Sequence, residues 1–115
     1  MGGPSTFTML YTVGRFHDEN PKVYGAFVRA LKDAIDWINA DKRAAAQLLH
    51  ETPEGRSMTL EEVAGIVADP DIAFTTSPQN VMKYVDFMHQ VGTIKTKPAS
   101  WKEMFFPEIH HVEGS

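Results

Sequence analysis

The alternation of apolar and polar residues is clearest between Asn20 and Ala40, where it has a helical period. Apolar side chains recur there at three- and four-residue steps, and most of the charged side chains fall on the opposite side. Asn20 suits the N-cap position because its side-chain oxygen can accept a bond from a free amide, and Pro21 suits the first helical position because it has no amide hydrogen. The pattern predicts a long amphipathic helix whose broad apolar face needs a partner surface.

Four later segments are also predicted to be helices, because each combines helix-forming residues with a start or stop signal. They are the segment after Asp41, ended by Pro53; residues 58–68, with a capping box of Thr59 and Glu62; the segment after Ser77 and Pro78, ended by Gly92; and the segment after Ser100, with Glu103 completing a capping box and Pro107 ending it. The residues from Gly14 to Glu19 are expected to form a polar connection. The polar tail after Pro107 is expected to fray.

Strand character is found in two stretches. From Thr6 to Val13, β-branched and aromatic residues are frequent and the pattern has a period of two. Because one strand cannot satisfy its own backbone, this stretch is expected to pair with another short strand, a second copy of the chain, or a sheet that lies outside it. Residues 72–75 are expected to be a short strand or an extended link. Several one-sided helices beside too few strands indicate an α/β domain of four or five helices from which most of the sheet is missing.

Composition narrows the class of protein. The chain has 115 residues, the length of one domain, and its 43% of hydrophobic and 23% of charged residues are typical of a soluble globular protein. The net charge of -4, without a basic cluster, argues against nucleic acid as a partner. No apolar run approaches the roughly 18 residues that span a bilayer, so direct membrane insertion is not expected. The start MGGPST does not have the pattern of a secretory signal, and the absence of cysteine excludes disulfides.

The five histidines do not predict a metal site or a catalytic base. His110 and His111 are adjacent on a polar tail, where their side chains point apart. His50 and Glu51 resemble the start of a zinc-protease motif, but Pro53 breaks the helix which that motif requires. The other two, interpreted as surface or helix-flank residues, are His17 and His89. We therefore predict no catalytic residue, no metal ligand and no cofactor.

The loop GGPSTF, residues 2–7, has the composition of a binding loop. Two glycines and a proline permit a tight turn that exposes the backbone. Ser5 and Thr6 then place hydroxyls and amides at the start of the predicted strand, where they can hold a small anion. An ordinary loop entering a strand has the same composition, and this alternative stays open. Ser5 and Thr6 are the predicted ligand-binding residues.

Four segments carry a family resemblance, in this order: GGPSTFTMLYTVGRFHDENPKVYGAFVRALKDAIDWINADKRAAA, MTLEEVAGIVADP, FTTSPQNVMKYVDFMHQVGTIKTKP and SWKEMFFPE. In their order and their amino-acid sequences they resemble the C-terminal portion of the substrate-binding proteins of bacterial ABC importers. Within these proteins, the resemblance is to the group that takes up nitrate, sulfonates and taurine and that includes binders of thiamine precursors. It covers nearly the whole chain.

The resemblance implies a fold and a function. Proteins of this family have two α/β lobes, a periplasmic-binding-protein-like type II fold, and the lobes close on a ligand. Residues 1–115 would be a single partial domain, the C-terminal part of the first lobe, in which Ser5 and Thr6 contact the ligand. The implied function is non-enzymatic binding of an aliphatic sulfonate, taurine, nitrate or a related compound in the periplasm. The implied partner of the full-length protein is an ABC permease, and this truncated chain is expected to lack lobe closure.

A second interpretation comes from a different class of protein. The chain would be a small helical interaction module that dimerises, or pairs with a partner, through the strand from Thr6 to Val13. The oligomeric state distinguishes the two interpretations, since strand donation gives a stable dimer and an isolated binding fragment does not.

Overall fold

The computed structural model describes residues 2–115. Over these residues it is helical, with 55% of the chain in helices and no strand or sheet. The five α-helices are α1 (Gly14–Glu19), α2 (Pro21–Ala40), α3 (Lys42–His50), α4 (Leu60–Val67) and α5 (Val81–Gln90). Three short 3₁₀ turns are Gly55–Ser57, Trp101–Met104 and Pro107–Ile109. None of the helices in residues 2–115 has the length and apolar character needed to cross a membrane.

The predicted α/β fold is wrong for this chain. Residues 6–13, predicted to be a strand, lie outside any helix, and no second segment of the described chain pairs along them. Among the described residues, their backbone is bonded to a distant segment at Thr6, whose amide donates to the Gln79 carbonyl oxygen at 2.9 Å. Residues 72–75 do not form a strand either. Composition favoured an extended backbone here, but a sheet also needs a neighbouring strand, and residues 2–115 supply none.

Residues Ala26–Thr75 form one compact unit, which we call the α3–α4 unit. Its core lies between α3 and α4, where small apolar side chains are buried against one another. The buried residues are Ala45, Ala46, Val63 and Val67, and Ile38, Met58, Ala64 and Phe74 pack around them. Such a core excludes water from the facing sides of two short helices and so stabilises both of them.

The predicted starts of α3 and α4 are confirmed. Asp41 is the N-cap of α3, and its Oδ1 accepts a hydrogen bond from the Ala44 amide at 2.9 Å. In the capping box of α4, the Glu62 amide donates to Thr59 Oγ1 at 3.2 Å and the Thr59 amide donates to Glu62 Oε2 at 2.7 Å. Each bond satisfies an amide that the helix itself leaves free.

Residues up to Gly25 together with Thr76–Ser115 form the second compact unit, which we call the α5 unit. Its buried side chains are Val81, Val85 and Trp101. The expected polar connection at its start is wrong, because Gly14–Glu19 is α1. The Val13 carbonyl oxygen accepts bonds from the amides of the first turn, and Arg15 pairs with Glu19 one turn later at 2.9 Å.

Helix α5 begins at a different place from the predicted one. Its N-cap is Asn80, three residues after the cap predicted at Ser77, and Asn80 has a left-handed backbone with φ of 53°. Ser115 satisfies the free amides, because its Oγ accepts from the Asn80 amide at 2.9 Å and its carbonyl oxygen accepts from the Val81 amide at 2.7 Å. The tail that was expected to fray is thus tied at Ser115.

The segment after Ser100 is a 3₁₀ turn rather than a capped α-helix. Ser100 makes no side-chain cap, and Glu103 instead accepts a bond from the Ala99 amide at 3.2 Å. Trp101 is buried, with the rings of Phe105 and His110 edge-on to it at 5.8 and 5.9 Å between centroids. Burial of the indole fixes this part of the α5 unit.

Candidate anion-binding site

The loop GGPSTF lies against the residues that precede α5. Thr6 and Gln79 exchange two hydrogen bonds, since the Gln79 amide also donates to Thr6 Oγ1 at 2.8 Å. Asn80 donates a side-chain bond to the Pro4 carbonyl oxygen. Gly3 has a φ of +95°, a conformation that other residues adopt at a cost. These features hold Ser5 between two anchored residues.

A shallow depression of about 30 Å³ lies beside this loop. It is lined by Gly2, Gly3, Ser5, Asn80, Lys83 and Tyr84. A space of this size accepts one small group, such as the head group of a larger ligand, and not a whole organic molecule. The lining residues come from two segments of the chain. The hydrogen bonds of Thr6 with Gln79 and of Pro4 with Asn80 place the loop beside the first turn of α5.

The polar groups of this depression are mostly hydrogen-bond donors. Lys83 supplies an ammonium group, which donates to the Gly2 carbonyl oxygen at 3.3 Å. The Tyr84 hydroxyl donates to Ser5 Oγ at 3.4 Å, and the Ser5 hydroxyl hydrogen can be donated to a further acceptor. Lys83 is the charged member of the lining, and it lies in the first turn of α5, whose dipole is also positive. The electrostatics therefore favour an anion.

The two predicted ligand residues have different surroundings. Ser5 lines the depression, whereas Thr6 does not, and the Thr6 hydroxyl oxygen is already the acceptor for Gln79. Its position makes Thr6 an anchor of the loop, although its hydroxyl hydrogen can still be donated.

Sequence reasoning missed Asn80, Lys83 and Tyr84. These residues come from a distant segment, and no spacing rule connects them with Ser5. One local signal was present, because a lysine in the first turn of a helix is electrostatically unfavourable there. Such a lysine suggests a function other than helix stabilisation.

Among the described residues, the lining of the depression supplies hydrogen-bonding groups and contains neither histidine nor a carboxylate. Comparisons of the chain with protein-family models, curated proteins and solved structures gave no match.

A second polar cluster in the α5 unit surrounds His17. Its Nε2 lies 2.8 Å from Glu108 Oε1, and its Nδ1 lies 2.9 Å from Asp18 Oδ1. The hydrogen bonds to Asp18 and Glu108 raise the pKa of His17 above its ordinary value. The side chain is 18% exposed, more enclosed than the surface position expected for it.

The histidines of the tail do not share a ligand. His110 Nε2 lies 2.8 Å from the carbonyl oxygens of both Lys102 and Phe105, so this nitrogen carries a hydrogen and donates. Within residues 2–115, no three acidic or histidine side chains come close enough together to hold a metal ion. His110 is thus engaged in fixing the tail.

Proposed function

We propose that this chain acts in the substrate-binding component of an ABC importer, where it contributes groups that hold a small anion. The observation that carries the proposal is the convergence of Ser5, Lys83 and Tyr84 on one depression. The sequence alone predicts Ser5 as a ligand residue, and the two α5 residues add a positive charge and a second hydroxyl beside it. The proposal concerns these binding groups and does not include the α/β fold.

The lining matches the chemistry of an oxyanion that carries no hydrogen of its own. Nitrate and sulfonate oxygens only accept hydrogen bonds, and the ammonium, hydroxyl and amide groups of Lys83, Ser5, Tyr84 and Asn80 can donate to them. Lys83 also compensates the negative charge. In this scheme an aliphatic sulfonate or taurine places its head group in the depression and its remaining atoms outside it, whereas nitrate consists of the oxyanion alone.

The proposed partners follow from the same function. The ligand is a small molecule that is bound without covalent change, and the partner of the full-length protein is the ABC permease. The proposed location is the periplasm. Thr6 remains a proposed contributor, because it anchors the loop that carries Ser5 and retains a hydroxyl hydrogen to donate.

The test is a titration of the chain with sodium nitrate, methanesulfonate and taurine, followed by amide NMR shifts so that millimolar binding is detected. We expect the amides of Gly3, Ser5 and Tyr84 to shift with at least one of the three. Lys83→Met should weaken that binding by about 1.5–3 kcal/mol, the range for hydrogen bonds to charged groups, and Ser5→Ala by about 1 kcal/mol. Lys95→Met is the matched control, since Lys95 is exposed and does not line the depression.

Two results would contradict the proposal. One is the absence of shifts at these amides with all three anions. The other is equal weakening by Lys83→Met and Lys95→Met, which indicates a general effect of charge and not a site.

A second candidate function is supported by a different observation. Phe7 and Tyr11 are 99% and 96% exposed, and the backbone groups of residues 7–12 make no hydrogen bond within the described chain. An extended apolar segment with free backbone groups is suited to pairing with a strand of a partner or a second copy. In this alternative the chain is a helical interaction module.

Size-exclusion chromatography with light scattering tests this alternative. A stable dimer that Leu10→Pro abolishes supports strand pairing, because proline removes an amide from the ladder. Phe87→Ser is the control, since Phe87 is also an exposed apolar residue but lies on α5. A monomer at all concentrations, or equal loss of the dimer in both variants, contradicts it.

A further inference from the structure

His17 connects two parts of the α5 unit that are far apart in sequence. On its own helix it meets Asp18 at 2.9 Å, and across 91 positions it meets Glu108, in the 3₁₀ turn Pro107–Ile109, at 2.8 Å. A carboxylate oxygen can only accept a hydrogen bond, and a neutral imidazole has a single N–H. Both contacts are therefore hydrogen bonds at the same time only when the ring carries two hydrogens and a positive charge.

Aromatic rings enclose the imidazole. Phe106 stacks on it with 4.1 Å between centroids and 3° between planes, and Tyr24 meets it edge-on at 4.6 Å. Stacking on Phe106 favours the protonated ring further, because the face of a benzene ring attracts a cation. The enclosure also keeps the ring in one orientation.

Among residues 2–115, the titratable groups that contact His17 are two acids and one phenol. They are Asp18 from α1, Glu108 from the 3₁₀ turn and Tyr24 from α2. Burial, and the nearby charge of Glu108, raise the pKa of Tyr24, so its hydroxyl stays neutral. The other charged residues of α1, Arg15 and Glu19, pair with each other at 2.9 Å. The protonated His17 is thus the cation that compensates the two acids.

The two acids respond differently to loss of that charge. Asp18 is 78% exposed and can turn into water. Glu108 is more enclosed, and its Oε2 is buried without a hydrogen-bond partner among the described residues. Deprotonation of His17 leaves the Glu108 carboxylate with its charge partly buried and uncompensated, which is unfavourable.

We propose that His17 is a protonation-dependent latch that holds α1 to the 3₁₀ turn Pro107–Ile109 through Glu108. The pKa of His17 is raised by Asp18 and Glu108, so the latch is fully effective below the ordinary histidine value of 6.5 and is lost as the pH rises through the raised value. The latch therefore loosens on the alkaline side. It is independent of the anion site, to which His17 and Glu108 do not contribute.

The test combines two NMR measurements on the full chain between about pH 5 and about pH 9. Histidine ring signals give the pKa of His17, which should lie above 6.5. Amide hydrogen exchange, corrected for its intrinsic pH dependence, gives the protection of residues 14–19 and 107–109, which should fall as the pH rises. Protonation of His17 and closure of the latch are thermodynamically linked. The total fold-change in protection between low and high pH therefore equals the acid dissociation constant of His17 in the released state divided by that in the latched state. The two measurements must therefore agree.

Three variants decide whether the latch is responsible. Glu108→Gln keeps an acceptor but removes the charge, so it should lower the pKa of His17 and shrink the fold-change. His17→Phe keeps an aromatic ring on Phe106 and should abolish the pH dependence of these amides. His89→Gln, on α5, is the matched control and should leave that dependence unchanged.

Either of two results overturns the proposal. The first is an undiminished pH dependence in His17→Phe. The second is a His17 pKa that is at or below 6.5, or one that Glu108→Gln leaves unchanged. The Glu108→Gln titration decides the question by itself where His17→Phe does not fold.

Discussion

In the α3–α4 unit, side chains from two neighbouring helices fill one apolar core. An N-cap begins α3 and a capping box begins α4. The α5 unit buries three apolar side chains but leaves Phe7 and Tyr11 almost fully exposed. Hydrogen bonds join its distant segments, among them the bonds between Thr6 and Gln79 and the bond between His17 and Glu108.

The difference indicates two sources of order. Removal of apolar surface from water is non-directional and tolerates changes elsewhere in the chain, as long as the core stays filled. The strength of a hydrogen bond depends on the positions of individual atoms, and the strength of an ion pair depends on pH as well. We therefore expect core substitutions to dominate in the α3–α4 unit and changes of exposed apolar residues to matter little in the α5 unit. The following predictions test this contrast, and NMR signals of each unit during urea unfolding report on it separately.

The largest effect is expected from Gly55→Ala. A Cβ at Gly55 would meet the Leu49 carbonyl oxygen and lie 2.7 Å from His50 Cα, both of them backbone atoms of α3. Because backbone cannot move aside as a side chain can, we expect a loss of about 3 kcal/mol in unfolding free energy. Gly65→Ala is the control, since a Cβ there meets nothing within 4 Å and helix propensity favours alanine by about 0.5–1 kcal/mol. Equal effects of the two variants would mean that the close approach at Gly55 does not exist.

The second prediction compares a buried with an exposed valine. Val63 is fully buried, so Val63→Ala should cost about 2 kcal/mol through lost apolar burial and the cavity left behind. Val91 is 56% exposed, and Val91→Ala should change the unfolding free energy by less than about 0.5 kcal/mol. Urea midpoints of both variants measure this. A similar cost at the two positions would remove the contrast between the units.

The third prediction concerns the capping box of α4. Thr59→Ala removes the oxygen that accepts from the Glu62 amide, and we expect a loss of about 1 kcal/mol. Thr8→Ala serves as control, because Thr8 is exposed in the unpaired segment. Urea unfolding measures both, and an unchanged Thr59→Ala midpoint would show that water replaces the cap without cost.

The fourth prediction is a pH dependence of the α3–α4 unit. The Thr59 amide, and then its hydroxyl, lower the pKa of Glu62 below 4.5 by donating to its carboxylate. The cap therefore stabilises the folded state above pH 4.5, and its contribution is lost as the pH falls through the lowered value. Urea midpoints between about pH 3 and about pH 6 should vary less in Glu62→Gln than in the unsubstituted chain. Glu51→Gln, a change outside α4, is the control and should retain the dependence.

The smallest effect is expected from Tyr11→Ser. Tyr11 is 96% exposed, so its removal should change the stability of the α5 unit by less than about 0.5 kcal/mol. Tyr24→Ser is the matched variant, because its ring contacts both His17 and Phe106, and it should cause a clear loss. A destabilising Tyr11→Ser would show that the segment packs on the protein in solution.

The features that the sequence predicted correctly are local. The helical period of α2 and the start signals at Asp41 and Thr59 act between residues three or four positions apart, and all three helices are present. Helix α1 was missed because its six residues have no apolar period of their own. It forms from the Val13 carbonyl bonds and the pair of Arg15 with Glu19.

The candidate site was predictable only in part. The composition of GGPSTF pointed to Ser5, which lines the depression, and to Thr6, which anchors the loop. The contributions of Asn80 and Lys83 were not predictable, since they depend on which distant segment the loop meets. The strand prediction failed for the same reason, because composition favours an extended chain and a sheet requires a neighbour.

By itself, the amino-acid sequence determined where the chain is helical in α2, α3 and α4 and which loop carries the hydroxyls of Ser5 and Thr6, because helix bonds, caps and turn conformations act over a few residues. Only the tertiary structure decided that no strand of the described chain pairs along residues 6–13, that Lys83 lies beside Ser5 and that His17 meets Glu108. Those outcomes depend on contacts between residues far apart in the chain, which no local pattern encodes.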